Sequence, residues 1–351
     1  MSKKKIVIVG AGALGGHVGG YLARNGENVT LVDPWPEHVE KMRRDGLTLV
    51  GQTAPENFTV QVKAMHLTEL QSICKEQPFD FAFMAVKSYD TVWATAMIAQ
   101  YLKPDGFVVS LQNSINEERI AGVIGWGKTI GCIASTIAVE LTGPARVQRN
   151  VALGGDRHTV FRVGEPHGRV TPRVEAIAAL VRTADSAKTT TNLWGERWSK
   201  LVVNAMRNPV SAATGRGGNA NDRDPMTRRL AIRLAGEAIK VGLAHGYALE
   251  KVYKMEPGKV MAAGDGNAAA LAECEKVLLD AVQFRNDEQR PSMGQDIQKG
   301  RRTEIDYINE LVASKAAELG IPVPANVGIV EAVKRVERGE IKPGAEVVAH
   351  I

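Results

Sequence analysis

The sequence predicts an α/β fold in two parts: a doubly wound, parallel-sheet domain over residues 1–188 and an all-helical domain over 189–351. Three observations predict it. Residues 6–33 read as strand, glycine turn, helix and strand. Apolar β-rich runs then alternate with helical segments, the pattern of a doubly wound sheet. After about residue 190 strand signals fade and long helical segments take over.

The first unit is the best defined. "IVIVG" is a short apolar run, "AGALGGHVGGYLARNG" has helical character with a glycine stop, and "NVTLVD" is a second strand. This is the βαβ context of a Rossmann dinucleotide-binding domain. Gly10 permits the tight turn, Gly12 lets the backbone approach a pyrophosphate, and Gly15 lets helix and strand pack closely. With Ala11, Ala13 and Leu14 between them, they are the candidate cofactor contacts, backed by free N–H groups at the helix start. A merely flexible glycine-rich loop would not explain the order of the flanking elements. Asp33 closes the second strand about twenty residues after Gly10, where an acid hydrogen-bonds the ribose 2′-OH of NAD. Its charge would repel the 2′-phosphate of NADP. The competing reading is a turn aspartate before Pro34, and Arg43 and Arg44 downstream keep NADP open.

"FDFAFMAVK" (79–87) reads as a buried strand after a turn at Gln77-Pro78, and "DTVWATAMIAQYL" (90–102) as a helix. "GFVVSLQNS" (106–114) is another strand, followed by the helical "NEERIAGVIG"; "TIGCIASTIAVEL" and "HTVFRVGEP" are β-rich. Ligands on such sheets bind beyond the carboxyl ends of the strands. Lys87 and the pair Gln112-Asn113 fall at such ends, so Lys87 and Asn113 are candidates beside the alternatives of surface lysine and turn asparagine.

The polar, Thr-rich "TADSAKTTTN" (183–192) is a linker candidate. Helical segments follow at 194–207, 225–245, 266–284, 293–318 and 326–338. "TGRGGNANDRDP" (214–225) reads as a loop whose Asp222 and Asp224 suit turn chemistry better than a metal. "MEPGKVMAAGDGNAAALAE" reads as an irregular insertion.

"WGERWSKLVVNAMRNP" (194–209) reads as a helix stopping at proline. On a helical wheel Lys200, Asn204 and Asn208 lie at about 0°, 40° and 80°, with Arg207 at about 340°. Periodicity alone makes this a solvated polar face. Asparagine is a poor helix former, however, and two beside a lysine point to hydrogen bonding. The stripe is narrow, and apolar flanks ease loss of a lysine proton, which suits acid–base work. A second candidate is "PSMGQDIQKGRRTEIDYINELV" (291–312). Ser292 and Gln295 form a capping-box pattern. Glu304 lies about 120° around a straight helix from Ser292, and spacing alone favours its pairing with Arg301 or Arg302.

Bulk composition closes other routes. The chain has 351 residues, 44% hydrophobic and 24% charged, with net charge +5. No stretch approaches the ~20 apolar residues of a membrane span. The basic, then apolar, N-terminus breaks into glycines, which suits a first strand better than a signal peptide and places the protein in the cytoplasm. Cys74, Cys132 and Cys274 are far apart without a CxxC pair, as expected of reduced thiols. The seven histidines form no metal-binding pattern, so no metal is expected. The positive charge suits anionic small molecules. Dispersed basic residues and 5% aromatics do not suit nucleic acid.

Five motifs in order, "GAGALGG", "AVKSYD", "SLQNS", "WSKLVVNAMRNP" and "SMGQDIQKGRRTEIDYIN", make the chain resemble the ketopantoate reductase (2-dehydropantoate 2-reductase) family. The resemblance implies a Rossmann NAD(P)-binding domain and a helical domain of the 6-phosphogluconate dehydrogenase C-terminal-like kind for substrate and dimerisation. It implies a site in the cleft between them and a homodimer. Lys200 matches the catalytic lysine that protonates the carbonyl oxygen as hydride arrives, and Glu304 the catalytic glutamate. Asn113, Asn204 and Asn208 match active-site and substrate asparagines, Ser292 a serine for the substrate carboxylate, and Lys87 a lysine near cofactor and substrate. The sequence departs from the family pattern at Asp33, at Ser114 for the glycine of Gln-Asn-Gly, at Glu310 for a glycine, and in an insertion near 255–284. The expected activity is reduction of 2-dehydropantoate or a related 2-oxoacid. The alternatives are an NAD-dependent catabolic D-2-hydroxyacid, β-hydroxyacid or secondary-alcohol dehydrogenase, and a non-catalytic NAD-binding regulator.

Overall fold

The structure is a computed structural model that describes residues 3–287 and 289–351. It divides into two compact units, one ending at Leu193 and the other running Trp194–Ile351.

The first unit contains strands β1 (Lys5–Val9), β2 (Asn28–Asp33), β3 (Leu47–Val50), β4 (Phe58–Val60), β5 (Lys63–His66), β6 (Phe79–Met84), β7 (Leu102–Ser110), β8 (Thr129–Ala134), β9 (Val139–Gly143), β10 (Arg146–Arg149), β11 (Phe161–Gly164) and β12 (Ala187–Thr189). Its helices are α1 (Ala13–Arg24), α2 (Pro36–Asp45), α3 (Thr91–Ala99), α4 (Glu117–Ile124) and α5 (Pro172–Val181). Among the described residues the main sheet has the order β12-β11-β8-β7-β6-β1-β2-β5. Neighbours run parallel except β8 and β11. The chain winds outward from β1 through β2 to β5, then recrosses to β6 and winds the other way. The switch point therefore lies between β1 and β6, where such sheets open a crevice.

Burial on both faces explains the near-continuous apolar strands. Side chains alternate sides with a period of two. Ile6, Ile8, Leu31, Phe81 and Phe83 enter one core, while Val7, Val9, Val32, Ala82 and Met84 enter the other. Helix α1 lies between the main sheet and a second sheet of order β4-β3-β10-β9. Its paired glycines make the close fit. A Cβ on Gly19 would fall 2.4 Å from Leu31, and one on Gly20 the same distance from Leu49 of β3.

The second unit is helical: α6 (Leu193–Thr214), which begins on the last residue of the first unit, α7 (Gly218–Arg223), α8 (Pro225–Ala244), α9 (Pro257–Gly264), α10 (Ala268–Val282), α11 (Ser292–Gln298), α12 (Asn309–Glu318) and α13 (Pro324–Glu337). Asp224 starts α8 by accepting from the Met226 amide at 3.0 Å, with Pro225 in the first helical position. Buried Trp198 of α6 donates its indole N–H to Ala238 O at 2.8 Å, and its ring fills the space where a Cβ on Gly242 of α8 would fall, 2.3 Å from it. No helix among the described residues is long and apolar enough to cross a membrane.

Several expectations need correction. The Thr-rich stretch 183–192 is not simply a linker, because it contributes β12 to the main sheet. The expected loop 214–225 contains α7, held by Asp222 between Arg207 and Arg285. The expected irregular insertion contains α9. The expected helix 293–318 is broken into α11, a 3₁₀ turn at Ile305–Tyr307 and α12. Helix α6 does not stop at proline but continues through Pro209 to Thr214. An interior proline costs about 3 kcal/mol because it deletes a hydrogen bond and crowds a carbonyl. The compensation appears at the site.

Candidate functional site

In the first unit the candidate residues gather where four neighbouring strands end level. Val9 pairs with Val32 and with Met84, and Met84 with Ser110. Gly10 and Gly12, Asp33, Lys87 and Asn113 follow or close these strands. Gly10 turns at φ 94°, and a Cβ there would lie 2.7 Å from the Val86 amide nitrogen. A Cβ on Gly15 would lie 2.0 Å from the Gly10 carbonyl oxygen. A Cβ on Gly12 would meet nothing within 4 Å. The space beside Gly12 is therefore open, and α1 begins there with no side-chain cap and no acid in its first turn. This is a cradle a phosphate can enter, with amides for partners.

Asp33 has both structural and binding potential. One carboxylate oxygen accepts from the Ala11 amide at 2.9 Å and the other from the Trp35 amide at 3.0 Å. The turn reading before Pro34 is thus correct, and the same carboxylate also braces the glycine turn. Fully buried His38, not singled out from sequence, braces it from the other side. Its Nδ1 accepts from the Ala145 amide at 2.8 Å, so Nε2 carries the proton and donates to Ala11 O at 3.0 Å. Both backbone groups of Ala11 are fixed by side chains.

Lys87 and Asn113 sit on two loops that are tied together. Gln112 Nε2 donates to Val86 O at 2.9 Å and to Thr91 Oγ1 at 2.8 Å. Asn116 Nδ2 donates to Asn113 O at 2.8 Å and to Ser88 Oγ at 3.1 Å. Ser114 takes φ 67°, the left-handed region that a glycine enters without strain. Asn116 is another positioning residue that spacing did not reveal.

In the second unit α6 is the organising element. Lys200 is half-buried, while Asn204 and Asn208 are only 7% and 6% exposed. The solvated-face reading from periodicity is therefore wrong for the asparagines. Leu201, Val202, Ala205 and Met206 are wholly buried on the other faces. Ser292 is not the expected cap of a helix. Pro291 is the N-cap, Ser292 is the first helical residue, and Gln295 Nε2 instead donates to Arg290 O at 3.0 Å. This leaves Ser292 at the start of α11, close to α6. A Cβ on Gly294 would lie 2.3 Å from Ser211 Oγ. Glu304 lies in the break before the 3₁₀ turn, 5% exposed, its carbonyl accepting from the Tyr307 amide at 2.9 Å. Arg302 pairs with Asp306 at 3.1 Å.

Asn309 connects this turn to α6. Its Nδ2 donates to Ala205 O at 3.0 Å. Ala205 is the residue four before Pro209, whose carbonyl loses its helical partner to the proline. The segments bearing Ser292 and Glu304 are thus both packed on the helix that carries Lys200, Asn204 and Asn208.

Comparison with known proteins places the chain in a family. The family model described as "Ketopantoate reductase PanE/ApbA" matches residues 6–161, and its C-terminal counterpart matches 192–337. A 2-dehydropantoate 2-reductase of Pyrococcus horikoshii is 31% identical over 338 residues, covering 95% of this chain and 97% of that one. A PanE/ApbA family ketopantoate reductase from Ralstonia eutropha superposes with TM-score 0.75 at 26% identity, covering 95% and 99%. A D-mandelate dehydrogenase solved with NADH and anilino(oxo)acetate shares the fold, with TM-score 0.76 at 22% identity and coverage of 95% and 98%. Matched in order along both of its parts, the chain belongs to the ketopantoate reductase family, oxidoreductases acting on a CH–OH/carbonyl couple.

Proposed function

We propose that this enzyme reduces the carbonyl of 2-dehydropantoate or a closely related 2-oxoacid, with Lys200 as general acid. The observation that carries the reading is the convergence on α6 of one lysine, two enclosed asparagines and the segments bearing Ser292 and Glu304. The glycine turn at Gly10–Gly15 and Asp33 would hold a nicotinamide cofactor, NAD in preference to NADP, which supplies the hydride when bound. Lys200 donates its proton to the substrate oxygen as negative charge develops there, and in the reverse direction neutral Lys200 accepts it. Glu304 hydrogen-bonds the substrate hydroxyl and orients the site. Asn204 and Asn208 donate amide N–H groups to substrate oxygens, and Ser292 donates to the carboxylate. Lys87 and Asn113 complete the binding groups on the first unit. The family resemblance also supports a homodimer.

Asp33 favours a second reading in which the enzyme oxidises a D-2-hydroxyacid with NAD⁺. A screen of 2-oxoacids with NADH and hydroxyacids with NAD⁺, including 2-dehydropantoate and pantoate, separates the two. Lys200→Ala should lower kcat by about 10²- to 10⁴-fold while leaving NADH binding intact. Unchanged turnover would remove Lys200 from the mechanism.

A further inference from the structure

We propose that Asn309 is a positioning residue for catalysis: it replaces the hydrogen bond that Pro209 removes from α6, and so keeps Lys200, Asn204 and Asn208 on one face. The inference rests on the reading of Lys200 as general acid.

Helix α6 runs unbroken from Leu193 to Thr214 with Pro209 inside it. Position 209 has no N–H to offer Ala205 O. Ala205 is wholly buried, so water is no substitute partner. The carboxamide of Asn309, also wholly buried, supplies the donor from the first position of α12, 104 residues away. Its second amide proton goes to Asn326 Oδ1 at 2.9 Å. Asn326 Nδ2 donates in turn to Glu237 Oε2 at 2.8 Å and Leu234 O at 3.2 Å. The Glu237 carboxylate also accepts the amides of Ala325 and Asn326, both at 2.9 Å. Each link runs donor to acceptor. Reversing the Asn309 amide would set its oxygen against two oxygens, so the chain of bonds fixes its orientation. The same residue opens α12 directly after Ile308, which caps the 3₁₀ turn that follows Glu304. One amide therefore sets the helix bearing the lysine relative to the turn bearing the glutamate. Small displacements of such groups lower turnover steeply.

The test is a double-mutant cycle between Asn309 and Pro209. Asn309→Leu should lower kcat per active site by about 10- to 100-fold, with NADH affinity unchanged. Pro209→Ala restores a main-chain N–H at the position that serves Ala205 O. Alone it should keep near wild-type kcat, and in the double variant N309L/P209A it should recover most of the lost kcat. The double variant should still melt below wild type, because Asn326 Oδ1 has lost its donor in either background. A purely structural role would move Tm and leave kcat per folded site unchanged. That result, or failure of Pro209→Ala to restore kcat, overturns the inference. Should Asn309→Leu not fold, Asn309→Ser with and without Pro209→Ala makes the same comparison. Lys200→Ala in parallel separates the two levels. If it retains turnover, the general-acid reading fails and takes this inference with it. If it is inactive while N309L keeps full kcat, only the inference fails.

Discussion

Gly12 and Gly15 belong to one helical turn, yet they tolerate a methyl group very differently. At Gly15 the methyl would overlap the Gly10 carbonyl at 2.0 Å, whereas at Gly12 it would meet nothing within 4 Å. Gly15→Ala should therefore cost stability at or above the roughly 1–3 kcal/mol typical of overpacking. Gly12→Ala should melt near wild type but bind NADH at least about tenfold more weakly, because the methyl occupies space needed for phosphate approach. Thermal melts and NADH titrations check both, and a Gly12→Ala variant with unchanged affinity would move the pyrophosphate elsewhere. Asp33 separates into two roles in the same way. Asp33→Ser removes the acceptor from the Ala11 amide, for a cost of about 1–3 kcal/mol. It should also shift the ratio of kcat/KM for NADPH over NADH upward by about tenfold or more, as the repulsion of a 2′-phosphate is lifted. If stability falls while the ratio stays fixed, Asp33 only braces the turn.

At the scale of elements, legibility followed the strength of the local signal. The strands β1, β2 and β6 are apolar-rich runs bounded by glycine, aspartate or proline, and they read directly. The strands β3, β4, β5, β10 and β12 are only three or four residues long. They give too few turns of the two-residue alternation to stand out from loop. Some of their partners lie far off in sequence, as when Thr48 pairs with Arg146. The break after α11 had a local signal that the resumed apolar periodicity hid. Gly300 takes φ 60°, and the Arg301 amide returns to Asp296 O at 2.8 Å, a glycine-terminated helix end. The proline in α6 had the opposite problem. The local rule ends the helix there, and the donor that overrides it, Asn309, is not local at all. Among the candidate site residues, Gly10, Gly12, Gly15 and Asp33 are proposed from spacing alone. Lys200 was ambiguous on the helical wheel, and Glu304 and Ser292 read as ion pair and cap, because their setting depends on how α11 and the 3₁₀ turn pack on α6. His38 braces backbone groups, and Asn116 ties the Asn113 carbonyl to the Ser88 hydroxyl, and no spacing announces either.

At the scale of the whole molecule, each unit has its own buried core, and the first also buries charge. Arg149 of β10 and Asp185, each wholly enclosed, form an ion pair at 2.5 Å where the second sheet meets the main one. Burial pushes the Asp185 carboxyl up, but the Gly154 and Ser186 amides and Arg149 pull it below its ordinary value overall. His17, in the glycine-lined middle of α1, is 3% exposed nearby. Burial first, and the Arg149 charge second, lower its pKa to about 3 from 6.5. The folded chain thus keeps His17 neutral where the unfolded chain would protonate it. Between pH 6.5 and 3 the unfolded state binds more protons, so stability rises with pH and is lost on acidification. From neutrality to pH 4 this one group should remove roughly 3 kcal/mol. Asp185 acts in the same direction but only near and below its unfolded value of about 4, so His17 governs the upper part of the acid limb. His17→Gln, which cannot take up the proton, should flatten that limb. Its Tm should fall distinctly less than that of wild type between pH 7 and pH 4.5, whatever its Tm at neutrality. Parallel acid limbs in the two proteins would show that the proton is taken up elsewhere in the fold.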